Sequence, residues 1–170
     1  ASTSSLIIIN QNLAHQRILY EGFLKSIFEK SSNSQKLVFP VEIDLSKQQL
    51  SMFNIIDSEF KSLGFKYKLE QNLLKISSVP IQFKNDSIEE IIDNFLNYEN
   101  AFDNTSSLSN SDFFAKALSK SSSIKSGVKL NLTEQEVLVN KLFSCKEPKL
   151  SPDNKQIFIT LSKNDIENRG

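Results

Sequence analysis

Apolar and polar residues recur along this chain with two periodicities, one helical and one alternating, which predict its secondary structure. Leu6–Ile9 is a short aliphatic run that predicts a buried strand. From Gln11 to Lys30 the apolar residues return every three to five positions, which predicts a long amphipathic helix. Leu37–Leu45 alternates and predicts a half-buried strand with Phe39 on its apolar face. Pro40 lacks an N–H group, so this strand is expected at a sheet edge.

The rest of the chain predicts further helices, a hairpin and a last strand. Ser46 is expected to cap a helix that ends at Leu63, with Gly64 as its C-cap. The other predicted elements are a hairpin of Phe65–Leu69 and Leu73–Ser77, a helix Ser87–Tyr98 with the capping pair Ser87 and Glu90, a helix Asp112–Ser123, a helix opened by Thr133 and Glu136 and ending at Phe143, and a strand Gln156–Leu161. Because strands and helices interleave without regular βαβ spacing, the pattern favours an α+β fold.

Composition excludes several classes of protein. The 170 residues carry 20 Lys and Arg against 20 Asp and Glu, and zero net charge argues against a strong non-specific nucleic-acid binder. One Cys cannot form an internal disulfide, which fits a reducing cytosol. One Cys and one His cannot supply a structural zinc site, and four Gly form no phosphate-binding loop. We expect neither a membrane span nor a signal peptide.

Residues with catalytic chemistry are few and poorly matched to one another. His15 and Glu21 are six positions apart on the predicted helix, so they lie on different faces and make a poor acid–base pair. The serines of residues 119–126 have no accompanying base, and Cys145 has no His nearby, so a structural use is favoured for both. Four lysines recur at four- to five-residue steps, which fits either a phosphate-contacting stripe or a solvated helix face: Lys116, Lys120, Lys125 and Lys129.

One segment resembles a known family signature. Asn10–Glu21, directly after the first predicted strand, resembles DQHAAHERILYE in the C-terminal domain of the DNA mismatch-repair family MutL. Weaker matches follow in the family's order, and together they cover Leu6 to Arg169. They are Gln35–Pro40 to the strand Q-x-[LM]-[IVL]-x-P, Ser78–Pro80 to AVP, Ile124–Gly127 to the end of ACRxAIKAG, and Ser151–Gln156 to the loop CPHGRP.

The resemblance implies a domain of two parts. Residues 1–45 and 111–170 would form a dimerisation subdomain, and residues 46–110 an inserted regulatory subdomain. In the family this domain forms homodimers and docks other mismatch-repair proteins, in the bacterial cytoplasm and associated with DNA. The parent protein would carry an N-terminal ATPase domain, whereas the present 170 residues show no ATP-binding pattern and imply no cofactor. Ile7, Ile9, Phe158 and the outer face of the first helix are the candidates for the dimer interface.

The departures from the signature concern a metal site. In nuclease-type relatives its Asp, His and first Glu join the Cys of ACR and the Cys and His of CPHGRP in a metal-dependent nicking site. The Cys of ACR falls near Lys120. Only Glu21 of the likely ligands is retained, and Asp153 could supply one further oxygen donor. The other positions hold Asn10, Asn12, Gln16 and Ser151. Because a carboxamide lacks the charge that holds a divalent cation, the resemblance implies no metal, no catalytic residue and no enzyme activity in this domain.

Partner binding can be read in more than one way. The residues that resemble the family's sliding-clamp-binding strand are Gln35, Leu37, Val38 and Pro40, and the alternative is an ordinary edge strand. Residues 46–110 carry six basic and nine acidic groups and residues 111–170 carry ten and seven, so weak DNA contact along the lysine-bearing segment is open. Two other readings compete with a dimerisation module: a nicking endonuclease with a divergent metal site, and a generic α+β protein-interaction module.

Overall fold

The computed structural model describes residues 4–31, 33–83, 88–97 and 110–169. It confirms the α+β class. The elements are β1 (Ser5–Ile9), α1 (Gln11–Glu29), β2 (Ser34–Asp44), α2 (Lys47–Leu63), β3 (Lys66–Glu70), β4 (Leu73–Pro80), α3 (Ile88–Leu96), α4 (Asn110–Ser122), α5 (Leu132–Phe143), β5 (Phe158–Ser162) and α6 (Lys163–Glu167). The predicted cap at Ser87 lies outside the described residues. No helix among those described is long and apolar enough to cross a lipid bilayer.

The chain folds into two compact units. Unit 1 combines residues 1–18 with 123–170, and unit 2 comprises residues 19–122. The subdomains implied by the resemblance, 1–45 with 111–170 and 46–110, differ from these units because β2 and α4 fall in unit 2. Both divisions combine the two chain ends in one part and assign the middle of the chain to the other.

Unit 2 is built around a three-stranded antiparallel sheet and a large aromatic core. The strand order is β2-β4-β3, so β2 lies at an edge as Pro40 predicts. At the centre of the core, Phe60 is fully buried. Its ring centroid lies within 4.5 to 5.9 Å of four other Phe rings, those of Phe53, Phe65, Phe95 and Phe114. This cluster joins α2 to α3 and α4.

Helix caps confirm one sequence prediction and correct another. Ser46 caps α2 as predicted, and Gly64 ends it in a left-handed conformation with φ of 107°, which glycine adopts without strain. The predicted capping box of Thr133 and Glu136 is wrong. Asn131 caps α5 instead, accepting from the N–H of Glu134 at 2.8 Å, while its own N–H donates to the Glu134 side chain. Asn is a stronger N-cap than Thr, so the helix begins two residues earlier than expected.

The alternation predicted for β2 is also wrong at one point. The pairing of β2 with β4 shifts register between Lys36 and Val41. Phe39 lies inside this shift and is 83% exposed, whereas the alternation placed it on the buried face. Residues 37–40 of β2 stand against the single residue Ser77 of β4, so the backbone bulges out of the ladder there and the alternation of faces is interrupted at Phe39.

Unit 1 has a small core around a two-stranded antiparallel sheet. Strands β1 and β5 pair from Ser5 with Ser162 to Ile9 with Phe158. Ile9 and Phe158 pack against Leu138 and Leu142 of α5, together with Ala14 of α1. One end of the sheet, at Ile9 and Phe158, therefore packs against its own unit, whereas Ile7 on the same face is 45% exposed.

Candidate functional sites

The residue at the signature's first position caps helix α1. Asn10 accepts a hydrogen bond at its Oδ1 from the backbone N–H of Leu13, at 3.1 Å. Its own backbone N–H donates to the Ile157 carbonyl at 2.8 Å, next to β5. Asn and Asp cap helices about equally well, so this position keeps its local structural role without a charge.

The next signature residues form a network of side-chain amides. Asn12 donates from Nδ2 to the Ile124 carbonyl at 2.7 Å and to the Ser123 hydroxyl at 3.3 Å. Gln16 donates from Nε2 to Asn12 Oδ1 at 2.9 Å. The backbone N–H of Ile124 donates to His15 Nδ1 at 2.8 Å. Both amide groups of Asn12 are therefore used, and the first turns of α1 are tied to the chain that follows α4.

The loop after α5 is held by an arginine that the sequence analysis did not single out. Arg17 is buried and donates from Nε to the Leu150 carbonyl at 2.6 Å and from Nη2 to the Ser151 carbonyl at 3.1 Å. Ser151 is fully buried, and its hydroxyl accepts from the Lys155 N–H at 3.1 Å. Asp153, at the tip of this turn, is exposed. Because Arg17 lies inside the segment that matches the family signature, that match could have identified it from the sequence.

The amide network does not fit the metal site that the resemblance implies for nuclease-type relatives. Among the residues described, no three His, Cys, Asp or Glu side chains form a group that could hold a metal ion. Asn12 presents an NH₂ group to Ile124, and its oxygen already accepts from Gln16. His15 Nδ1 is likewise an acceptor within the network. A divalent cation needs oxygen or nitrogen lone pairs that point at it, whereas here Asn12 Oδ1 accepts from Gln16 and His15 Nδ1 accepts from the Ile124 N–H.

Most of the other candidate catalytic residues named from the sequence lie outside the amide network. Glu21, farther along α1, falls in unit 2 and has a buried carboxylate oxygen, whereas His15 falls in unit 1. The Cys145 thiol donates to the Lys141 carbonyl at 3.4 Å. Hydroxyls of the serine-rich segment bond backbone carbonyls of their own helix, at Ser119, Ser121 and Ser122.

The lysine stripe is divided between the two units. Lys116 and Lys120 belong to unit 2, and Lys125 and Lys129 belong to unit 1. Lys116 pairs with Asp112 at 3.4 Å, and its side chain is 27% exposed. An ion pair with a neighbour on the same helix lowers the charge offered to a phosphate, so DNA contact stays a prediction.

The segment that resembles a clamp-binding strand combines anchored and exposed residues. Gln35 donates from its side chain to the Phe83 carbonyl, and Leu37 packs against the core of unit 2. Val38 and Phe39, 87% and 83% exposed, stand in the register shift of edge strand β2. Pro40 is exposed beside them. Both ends of the segment are paired to β4, so an apolar pair is presented on a fixed backbone.

A second apolar surface covers the outer face of the β1–β5 sheet. We call it the outer sheet face, and its residues are Leu6, Ile8, Ile159 and Leu161. Leu6 pairs with Leu161 and Ile8 pairs with Ile159, so the four side chains share one side of the sheet. Leu6 and Ile8 are both 50% exposed and Ile159 is 42% exposed. Of the interface candidates named from the sequence, Ile9 and Phe158 are partly buried against the core of unit 1 on the opposite face, and Ile7 on that face is 45% exposed.

Comparisons with known proteins identify the family to which the chain belongs. The family model described as "MutL C terminal dimerisation domain" matches residues 1–130. The chain is 33% identical to the DNA mismatch repair protein MutL of Christiangramia forsetii over 98% of this chain and 27% of that protein. It is 36% identical to the MutL of Flavobacterium psychrophilum, with the same two coverages. The chain therefore spans about a quarter of the length of these relatives.

The described residues form two compact units of α+β structure. With the match to residues 1–130 and the similarity to full-length relatives, the chain belongs to the MutL C-terminal dimerisation domain family.

Proposed function

We propose that this chain is the homodimerisation and partner-docking module of a DNA mismatch-repair protein and does not itself nick DNA. The outer sheet face carries this proposal. It presents four aliphatic side chains on two strands whose sequences, SLIII and FITLS, contain no charged residue. A two-stranded sheet with one apolar face in water is marginally stable, so a covering partner is expected.

A second copy of the chain is the partner that fits this face. A twofold axis through an aliphatic patch brings the same patch onto itself, which needs no complementary chemistry from another protein. A stable interface of this kind buries about 800 Å² on each protomer. The dimerisation subdomain then corresponds to unit 1 and the regulatory subdomain to unit 2. The two copies would hold the rest of each parent chain together.

The amide network supports the absence of nuclease activity. The donor set around Asn12 is neutral and internally bonded. Nicking requires a cation that polarises the phosphate and activates water. Asn10 and Gln16 add two further amides in place of carboxylates, so these three positions offer no charge to attract such an ion.

The purified domain is therefore expected to leave supercoiled plasmid intact in the presence of manganese. The measurement is conversion to the nicked circle on an agarose gel, compared with a reaction that contains no protein. Glu21→Ala is the control variant, since Glu21 is the retained carboxylate of the signature. Nicking by the native domain that disappears in Glu21→Ala would establish the alternative, an endonuclease with a divergent site.

Edge strand β2 is proposed to dock a bacterial sliding clamp. Val38 and Phe39 supply a large exposed apolar contact, while Gln35 and Leu37 hold the segment in place. A ligand strand with apolar anchors on a rigid backbone loses little entropy on binding. We expect this docking to be weak in an isolated domain and strengthened by dimerisation, because two strands bind a ring-shaped partner together.

The double variant Val38→Ala/Phe39→Ala is expected to lower clamp retention in a pull-down at least roughly tenfold, the effect of losing two apolar anchors. Substitution of these exposed residues tests binding with less effect on folding than substitution of Gln35 or Leu37, which have contacts inside unit 2. Phe28→Ala is the matched control, because Phe28 is 72% exposed on α1. Equal retention of the native and double-variant proteins would remove clamp docking from the proposal.

A further inference from the structure

The signature residues of helix α1 make contacts across a long stretch of sequence. Asn12 and His15 bond Ser123 and Ile124, which lie more than a hundred positions later in the chain. Gln11 adds a bond from its Nε2 to the Val128 carbonyl at 2.8 Å. All of these contacts lie within unit 1. They join the first two turns of α1 to residues 123–128, a segment that has neither helix nor strand to hold it.

A metal ion and a hydrogen-bonded network can perform the same mechanical task here. A cation held by ligands from separate segments cross-links those segments and stabilises the fold. Removing its charged ligands would leave polar groups of α1 and of residues 123–124 without partners in a half-buried position. Unpaired buried polar groups are costly, so the loss must be compensated locally. The Asn12 amide does this by donating to both Ile124 and Ser123.

We propose that the amides of Asn12 and Gln16, with His15 as acceptor, form a structural latch that fixes residues 123–128 on α1 at the position where nuclease-type relatives hold metal. We call these three side chains the amide latch. These side chains provide a neutral cross-link between α1 and residues 123–124. This goes beyond the proposed function, which needs only that nicking is absent. The latch lies within one unit of a single protomer, so it does not depend on dimerisation or clamp docking.

The orientation of the Asn12 amide makes the latch sensitive to a single atom. Its Nδ2 faces a carbonyl oxygen, and its Oδ1 faces the NH₂ group of Gln16. In Asn12→Asp an anionic oxygen would replace the NH₂ group and meet the Ile124 carbonyl oxygen at close range. That contact is repulsive and leaves the carbonyl without its donor.

The test compares Asn12→Asp with Asn54→Asp in the intact chain. Asn54 is exposed on α2, so the control adds the same charge outside the latch. Asn12→Asp is expected to lower Tm by about 5 °C and to accelerate amide hydrogen exchange of residues 124–128 roughly tenfold, while Asn54→Asp changes neither. Gln16→Glu is a milder second variant that should accelerate exchange of the same residues by a smaller factor. Tm of the native protein should not rise with added manganese or zinc ions.

Four results would overturn the latch. The first is native-like exchange of residues 124–128 in both latch variants. The second is acceleration in those variants that is spread evenly over unit 1, including α5, because that indicates general destabilisation without a local link. The third is the same loss in Asn54→Asp. The fourth is a rise in native Tm on addition of manganese or zinc, which would mean that these residues still hold a cation. The oligomeric state, measured on the same samples, reports separately on the proposed function.

Discussion

The double variant Ile8→Lys/Ile159→Glu is expected to be a monomer under conditions in which the native chain is a dimer. Ile8 and Ile159 are directly paired at the centre of the outer sheet face. Burying even a paired ammonium and carboxylate costs several kcal/mol in lost hydration. The dimer Kd should therefore rise by at least about a thousandfold, which corresponds to roughly 4 kcal/mol. Light scattering and sedimentation at tens of micromolar measure the change.

The choice of opposite charges protects the fold of each protomer. Like charges directly across two strands would repel and weaken the β1–β5 pair, whereas the introduced lysine and glutamate would attract each other across it. The matched control places the same two residue types on exposed positions of α5, as Leu132→Lys/Val137→Glu. It should remain dimeric. A dimeric sheet variant, or a monomeric α5 control, would place the interface elsewhere in the molecule.

Truncation of Phe60 to alanine is expected to be the most destabilising single change in unit 2. Phe60 is fully buried and its ring meets four other Phe rings from α2, α3, α4 and the residue before β3. Removing a buried Phe side chain costs about 3–5 kcal/mol, because apolar burial is lost and a cavity remains. Domains are stable by only about 5–15 kcal/mol, so this is a large share of the total.

Chemical denaturation followed by circular dichroism measures the loss at Phe60. Phe39→Ala is the control, since it makes the same truncation at a side chain that is 83% exposed. Its free energy of unfolding should stay within about 0.5 kcal/mol of the native value. Equal losses at the two positions would contradict the aromatic cluster as the centre of this core.

Local signals in the sequence predicted most of the elements. Apolar periodicity identified α1, and the polar cap at Ser46 with Gly64 bounded α2, because these signals act within a few residues. The start of α5 was misplaced, since Asn131 and Thr133 both offer a capping side chain two positions apart. Phe39 was assigned to the wrong face because its orientation depends on pairing with β4, more than thirty residues away.

The candidate site, too, was predicted from the sequence only in part. The resemblance identified Asn10, Asn12 and Gln16 as neutral replacements for metal ligands, which requires only the order of residues in one segment. Their partners could not be read from that segment. Ser123 and Ile124 lie more than a hundred residues after Asn12 in the sequence. Their hydrogen bonds to Asn12 therefore depend on the tertiary fold.

By itself, the sequence determined the α+β class, the extents of α1 and α2 and the loss of charge at the signature positions. Only the tertiary structure decided which side of β1 is the outer one. SLIII has no alternation of polar and apolar residues, so its two faces look equal in the sequence. Pairing with β5 places Leu6 and Ile8 on one face with Leu161 and Ile159, and the other face is distinguished by Ile9 and Phe158, which pack against the core of unit 1.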